Sequence, residues 1–352
     1  MQNPERVELV RRRLGLTRVG FAKALGVDRK TIQRFENGGE LSTAIMDRLC
    51  QISGYPAGFF EKGSLEYPNP DGVSFRSLRS LTAGTRDGAL AAAALAFEFD
   101  DWIAARFEFP EHRLPTISGK DPEDAAAAVR AYWGIGVRPV GNMVNLLESH
   151  GVRVFSLVEE TRHLDGYSLW RNERPYVFLN TVKTPEHSRF DAAHELGHLI
   201  MHRHGGSTHK SAEDEAHAFA SAFLMPHADL LAHLPFVKDL DHLIDMKHRW
   251  RVSVAALNYA LHKIGVISDW RYRGFYIELN KIGRTVEPKG IEAETSLVWA
   301  KILKTLWREG TTLAYIAKEL YVPEKELSNM LFGIASPVAD GPPAKGSLRL
   351  VD

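Results

Sequence analysis

The run His194-Glu195-Leu196-Gly197-His198 constrains this chain more than any other stretch. It lies within residues 188–202, whose composition is helical. On a helix, positions i and i+4 stand one above the other, so His194 and His198 can aim two imidazoles at one metal ion. Glu195 sits one position on, close enough to hold a water bound to that metal. Two ligands and a general base on one turn are the geometry of a zinc hydrolase. The competing reading is a surface helix with two satisfied histidines. Phe190, Ala193, Leu196, Leu199 and Ile200 surround the pair and place it in a core or cleft instead.

Such a site needs a third protein ligand and an open fourth position. The next acidic cluster, Glu213-Asp214-Glu215, opens a second helical run over residues 212–224, with Pro226 behind it. Glu213, Ala216, Ala220 and Phe223 share one face, with small residues that allow another helix to approach. Glu213 is therefore the expected third ligand. Glu215 is its competitor, but it falls about 200° around the helix and is expected to face solvent or arginine partners.

The run from Arg189 to His198, followed by Glu213-Asp214-Glu215-Ala216-His217-Ala218-Phe219-Ala220 and Leu224-Met225-Pro226, resembles the ImmA/IrrE family of zinc metallopeptidases. The family pattern is R-F-x-x-A-H-E-L-G-H, then E-x-x-A-N-x-F-A-x-x-L-L-M-P. The resemblance implies a minimal gluzincin-like peptidase fold over residues 76–290, a Zn2+ cofactor, and the first glutamate of the second motif as ligand. Position 217 departs from the pattern, with His where the family often has Asn or Asp. His217 either orients a zinc-bound imidazole or is a packed core histidine.

Formal net charge is zero, yet residues 1–50 hold ten basic against six acidic residues. A basic end suggests phosphate contacts. Over residues 1–60, short helices are broken at Gly15, Gly26 and Asn37-Gly38-Gly39, with Thr17 and Asp28 as caps. Residues 14–38 resemble the XRE/Cro-like helix-turn-helix family, which implies that the third helix enters the major groove of DNA. Its exposed positions are Arg29, Lys30, Gln33 and Arg34, where Gln can pair with adenine and Arg with guanine. Ile32 and Phe35 face inward. One module offers few contacts, so specific binding is expected to need a homodimer. The alternative is a small bundle whose basic face serves protein contact.

The single cysteine, Cys50, excludes an internal disulfide and reads as a buried thiol suited to a reducing compartment. No apolar signal region opens the chain, and its most apolar stretch, residues 89–97, is far short of a membrane span. A cytoplasmic protein with no membrane partner is expected. Residues 61–75 read as a linker, residues 89–107, 121–133 and 140–149 as scaffold helices, and residues 152–158, 167–171 and 175–180 as strands. Asn172-Glu173 forms the turn between the last two. Either 166–170 or 176–179 is the edge that holds a peptide in extended form. His202, His204, His209, His217, His227 and several tyrosines are unranked candidates for oxyanion support. Asp191 reads as a solvated acid at a helix start, or as support for the metal site.

Residues 240–267 are helical in pattern, and residues 291–335 repeat the helix-turn-helix rhythm. Glu324, Lys325 and Glu326 make the second of these helices acidic, so it reads as a structural or protein-binding element. Residues 336–352 read as a loose tail. The fold class expected is mainly α with a small β-sheet (α+β). The function expected is a DNA-binding regulator with zinc endopeptidase activity against a regulatory protein, repressor or antitoxin in type, in a stress or mobile-element response. The competitor is a non-proteolytic regulator or antitoxin whose zinc domain senses a ligand or partner.

Overall fold

A computed structural model describes residues 2–68, 82–117, 119–157, 164–203, 210–283, 287–333 and 349–350. The amino-terminal helices are α1 (Pro4–Arg13), α2 (Arg18–Leu25), α3 (Arg29–Glu36) and α4 (Thr43–Ser53), followed by a 3-10 turn, Ala57–Glu61. Asn3, Thr17 and Asp28 accept hydrogen bonds from the first backbone N–H groups of α1, α2 and α3. Gly26 ends α2 at φ 71°, a conformation that favours glycine. Phe21, Leu25, Ile32, Phe35, Leu49, Phe59 and Phe60 fill the module's core. Cys50 packs at its margin and is half-buried, less enclosed than its apolar neighbours had suggested, because Leu49 takes the inward position.

Helix α5 (Ala83–Ala104) is the pillar on which that module stands. It begins six residues before the expected position 89, where the Thr82 side chain caps it. Its buried stripe of alanines brings α1 close: a Cβ on Gly88 would lie 3.2 Å from the Arg12 carbonyl. Arg6 reaches Glu98 on α5 at 3.1 Å, and Lys62 meets the same carboxylate at 2.5 Å. Arg171 holds Glu66 at 2.7 Å, so the described part of the expected linker is tied down at both ends.

After β1 (Phe107–Glu108) come α6 (Pro122–Tyr132), α7 (Met143–Ser149), β2 (Arg153–Leu157), β3 (Gly166–Arg171) and β4 (Arg174–Asn180). The sheet order is β2-β4-β3. β2 runs parallel to β4, with Val154 beside Val177, and β3 runs antiparallel to it, with Tyr167 beside Phe178. Asn172 and Glu173 turn the hairpin at φ 48° and 62°, the left-handed pair that a two-residue turn requires. β4 is thus the centre, and residues 176–179 are not an edge; β3 borders the sheet among the described residues. Alternation along the strands separates two cores. Phe155, Tyr167, Tyr176 and Phe178 join α5 and the amino-terminal module, whereas Val154, Val177 and Leu179 face the helices that carry the His-Glu motif.

Those helices are α8 (Pro185–Met201) and α9 (Lys210–Leu224), followed by α10 (His227–His233), α11 (Leu240–Trp250), α12 (Val254–Lys263) and α13 (Asp269–Ile282). The pattern over 240–267 is therefore two helices. Arg251 takes a left-handed conformation at φ 58°, and the Ser253 hydroxyl caps the second. Helices α14 (Leu297–Arg308), α15 (Leu313–Leu320) and α16 (Glu324–Met330) close the described body, and residues 349–350 pair with β1. The acidic start of α16 meets the amino-terminal module, where Arg13 holds Glu326 at 3.0 Å. Tyr321 lies so close to Gly58 that a Cβ there would fall 2.4 Å from its ring.

One carboxylate joins α7 to α14. Glu148 accepts from the Leu297 and Val298 backbone N–H groups at 3.1 and 3.2 Å and from the Ser296 hydroxyl. Burial pushes its carboxyl up to about 7, against the pull of those donors. Its folded value exceeds the ordinary value of 4.5, so the folded chain holds a proton that the unfolded chain releases. That stabilisation is complete below the unfolded value and is lost as pH rises through 7. Urea unfolding midpoints between pH 5 and 8 should therefore fall more for the wild type than for Glu148→Gln. The difference amounts to on the order of 3 kcal/mol across the window. A gap between the two chains that does not change with pH would refute this.

Candidate metal centre

Helix α8 starts at a Thr184 cap with Pro185 in its first turn, and its inward face is almost wholly buried. Helix α9 crosses it closely because residue 197 has no side chain. A Cβ at Gly197 would meet the Phe219 ring at 3.1 Å and the Ala216 Cα at 3.3 Å. This approach delivers Glu213 to the histidine pair. His194 Nε2 lies 3.1 Å from His198 Nε2, while the Glu213 carboxylate is 3.3 Å from the first and 3.4 Å from the second. These three side chains form a group able to hold a metal ion. Bonds of about 2.0–2.1 Å in a tetrahedron put ligand atoms about 3.3 Å apart. The carboxylate meets His194 through Oε2 and His198 through Oε1, so it straddles the pair at spacings of that order.

Electrostatics favour a cation there. Burial pushes the Glu213 carboxyl up, but the bonds from His194 and His198 outweigh it and hold it far below the ordinary carboxylate range. Burial lowers His194, yet Glu213, Glu195 and Asp191 together raise it. The cluster stabilises positive charge at the imidazoles when no metal supplies it.

Glu195 is only 3% exposed. The Ser168 hydroxyl donates to its Oε2 at 2.7 Å from β3. Ser168 was not singled out from sequence. The available signal was alternation: Tyr167 and Leu169 face the α5 core, so Ser168 must face α8.

The remaining expected positions divide. His217 packs its ring 4.8 Å from Phe190 and 6.0 Å from Tyr259, and burial together with His194 lowers its pKa. Glu215 is partly exposed to solvent, as expected, but its carboxylate has a histidine and not an arginine as partner: it bonds His202 Nε2 at 3.0 Å, and His202 Nδ1 lies 3.1 Å from His198 Nδ1. His202, the residue that follows the end of α8 at Met201, reaches over to the flank of α9. His202 thus stands behind the His198 imidazole. His227 lies 3.5 Å from Glu123, and His204 and His209 fall outside the described residues. Asp191 is not a solvated acid. It is 8% exposed, its carboxyl is raised by burial, and it approaches His187 at 3.5 Å. His187 and Asp165 complete a second close group, into which the Lys183 ammonium is already paired. Arg189 is buried and holds Glu294, whose carboxylate also caps α7 at the Met143 N–H, 2.7 Å away. Its role in the motif is structural. On α3, Arg29, Lys30, Gln33 and Arg34 are all exposed, and Ile32 and Phe35 are buried.

A His-Glu-x-x-His helix crossed by a glutamate-bearing helix, beside a small mixed sheet, defines a metallopeptidase-type domain. Residues 147–262 match the peptidase family model described as IrrE N-terminal-like domain, and residues 7–60 match the model described as helix-turn-helix. No curated protein matches the chain. The chain therefore carries an ImmA/IrrE-like peptidase-family domain, which implies a metal cofactor, together with an XRE-like helix-turn-helix domain, which implies DNA as a partner. No described helix is long and apolar enough to cross a membrane.

Proposed function

We propose that this chain is a DNA-binding regulator whose IrrE-like domain is a zinc-dependent endopeptidase. In this reading His194, His198 and Glu213 hold the ion and Glu195 is the general base. The observation that carries it is the convergence of two imidazole nitrogens and one carboxylate into a group able to hold a metal ion, with a second carboxylate, Glu195, next to His194 in sequence. Zinc there would supply a water of pKa about 7 and polarise a peptide carbonyl. Ser168 orients the Glu195 carboxylate against β3 before a water arrives, and Glu195 takes the proton and returns it to the leaving amine. The free face of α3 suits the major groove, with Gln33 and Arg34 at its centre and Arg29 and Lys30 at its start. A fused DNA reader points to a regulatory protein, repressor or antitoxin in type, as the substrate.

The full chain, stripped of metal and titrated with zinc, should take up one ion per protomer with submicromolar affinity. His198→Ala and Glu213→Ala should each lose it. A wild-type chain that takes up no zinc under these conditions would end the reading.

A further inference from the structure

We propose that His202 and Glu215 form a positioning relay that fixes the tautomer and direction of His198 at the metal. The inference rests on the metal reading above. His194 and His198 lie at i and i+4 on one face of α8, and His202, four residues further on, is the residue that caps its carboxy-terminal end. His202 meets His198 on its Nδ1 side, away from the nitrogen that faces His194, so it backs the ligand group and does not complete it.

The hydrogen bonds run in one line. His198 turns Nε2 towards His194 and Glu213, which leaves Nδ1 for His202 at 3.1 Å. His202 in turn places Nε2 3.0 Å from the Glu215 carboxylate, which reaches over from α9. Glu215 is acceptor only, so His202 Nε2 must carry a hydrogen. In the neutral ring its Nδ1 is then an acceptor, and the hydrogen between the two imidazoles belongs to His198 Nδ1. With its proton there, His198 offers the Nε2 lone pair to the ion. The alternating pattern thus assigns every proton in the line, and it ends on the nitrogen that faces the ligand group. A carboxylate behind a metal-bound histidine increases its basicity and holds its ring plane. Here an imidazole is inserted between the two, and the line spans the same pair of helices, α8 and α9, that supplies the three ligand atoms.

The test is zinc affinity of the full chain, measured at one pH by competition with a chromophoric chelator. Glu215→Ala and His202→Leu should each weaken binding by about 10–100-fold. Glu215→Gln should recover most of the affinity, because its carbonyl still accepts from His202 Nε2. The Glu215 side chain is 43% exposed, so its replacement leaves the fold intact, which circular dichroism checks. If wild type binds zinc and both Glu215→Ala and His202→Leu bind it equally well, the relay is overturned while the metal site stands. If Glu215→Gln is as weak as Glu215→Ala, a plain charge effect replaces the hydrogen-bonded line. If wild type itself takes up no zinc, the metal reading fails, and this inference with it.

Discussion

Replacing Glu195 by glutamine is expected to lower peptide hydrolysis by roughly 100- to 10,000-fold while leaving bound zinc unchanged. Glutamine has the same shape, and its carbonyl oxygen can still accept the Ser168 hydroxyl that holds Glu195 at 2.7 Å. The side chain therefore keeps its place, and His194, His198 and Glu213 are untouched. What disappears is the ability to take a proton from water, because an amide is not a base at neutral pH. A parallel loss of zinc would mean that the substitution acts on the site's structure. Undiminished cleavage would remove Glu195 from the chemistry. Zinc stoichiometry and turnover of a cleavable substrate, measured on the same preparation, separate these outcomes.

The second large effect is expected at Gly197, which touches no ligand. Its missing side chain sets the distance between α8 and α9, with the Phe219 ring and the Ala216 backbone at the limit of contact. In Gly197→Val the added methyl groups must push α9 away. Overpacking of this kind costs about 1–3 kcal/mol. Part of that displacement falls on Glu213, which opens α9's approach to the two imidazoles. A ligand held to within a few tenths of an ångström cannot follow such a shift, so zinc affinity should fall by more than about tenfold. Urea unfolding and chelator competition read the two effects. A variant with lowered stability and unchanged zinc affinity would mean that Glu213 is placed independently of the helix crossing.

The residues differ in how far their positions could be read from the chain. His194, His198 and Glu213 were legible because the first two are related by helix geometry and the third lies on a face of small residues. The Asn172-Glu173 turn was legible because its flanking runs are strand-like and its length admits few conformations. The helix-turn-helix was legible because its caps and glycines fall where short helices must stop. Ser168 was harder: its facing follows from alternation, but its value depends on which helix covers that side of the sheet. Glu215 is partly exposed, as its place on α9 suggested, but its bond to His202 was not legible, because rotation about α9 alone carries no knowledge of a partner on another segment. Asp191 looked solvated because it sits near a helix start, yet Asp165 and His187 close around it. Arg251 gave no warning of a helix break; the signal lay two residues on, in the Ser253 cap. Local rules thus foresaw which candidate residues come together, and tertiary packing decided what lies behind them.

The module contacts add a structural consequence. Arg13 with Glu326, Tyr321 against Gly58, and Arg6 with Glu98 seat the amino-terminal helices on α5 and on the carboxy-terminal element. Across the sheet from that seat, β3 carries both Tyr167, whose hydroxyl bonds the Ala89 carbonyl of α5 at 2.8 Å, and Ser168, which holds Glu195. The face of α3 that carries Arg29, Lys30, Gln33 and Arg34 stays exposed while the module is seated.

The most direct test of proteolysis by this site compares new protein N-termini in cells of the native host carrying either the wild type or Glu195→Gln, with and without stress. The account predicts termini that depend on Glu195 and that fall within a DNA-binding regulatory protein or an antitoxin. Identical termini in the two strains under every condition, with zinc bound and both proteins folded, would contradict it.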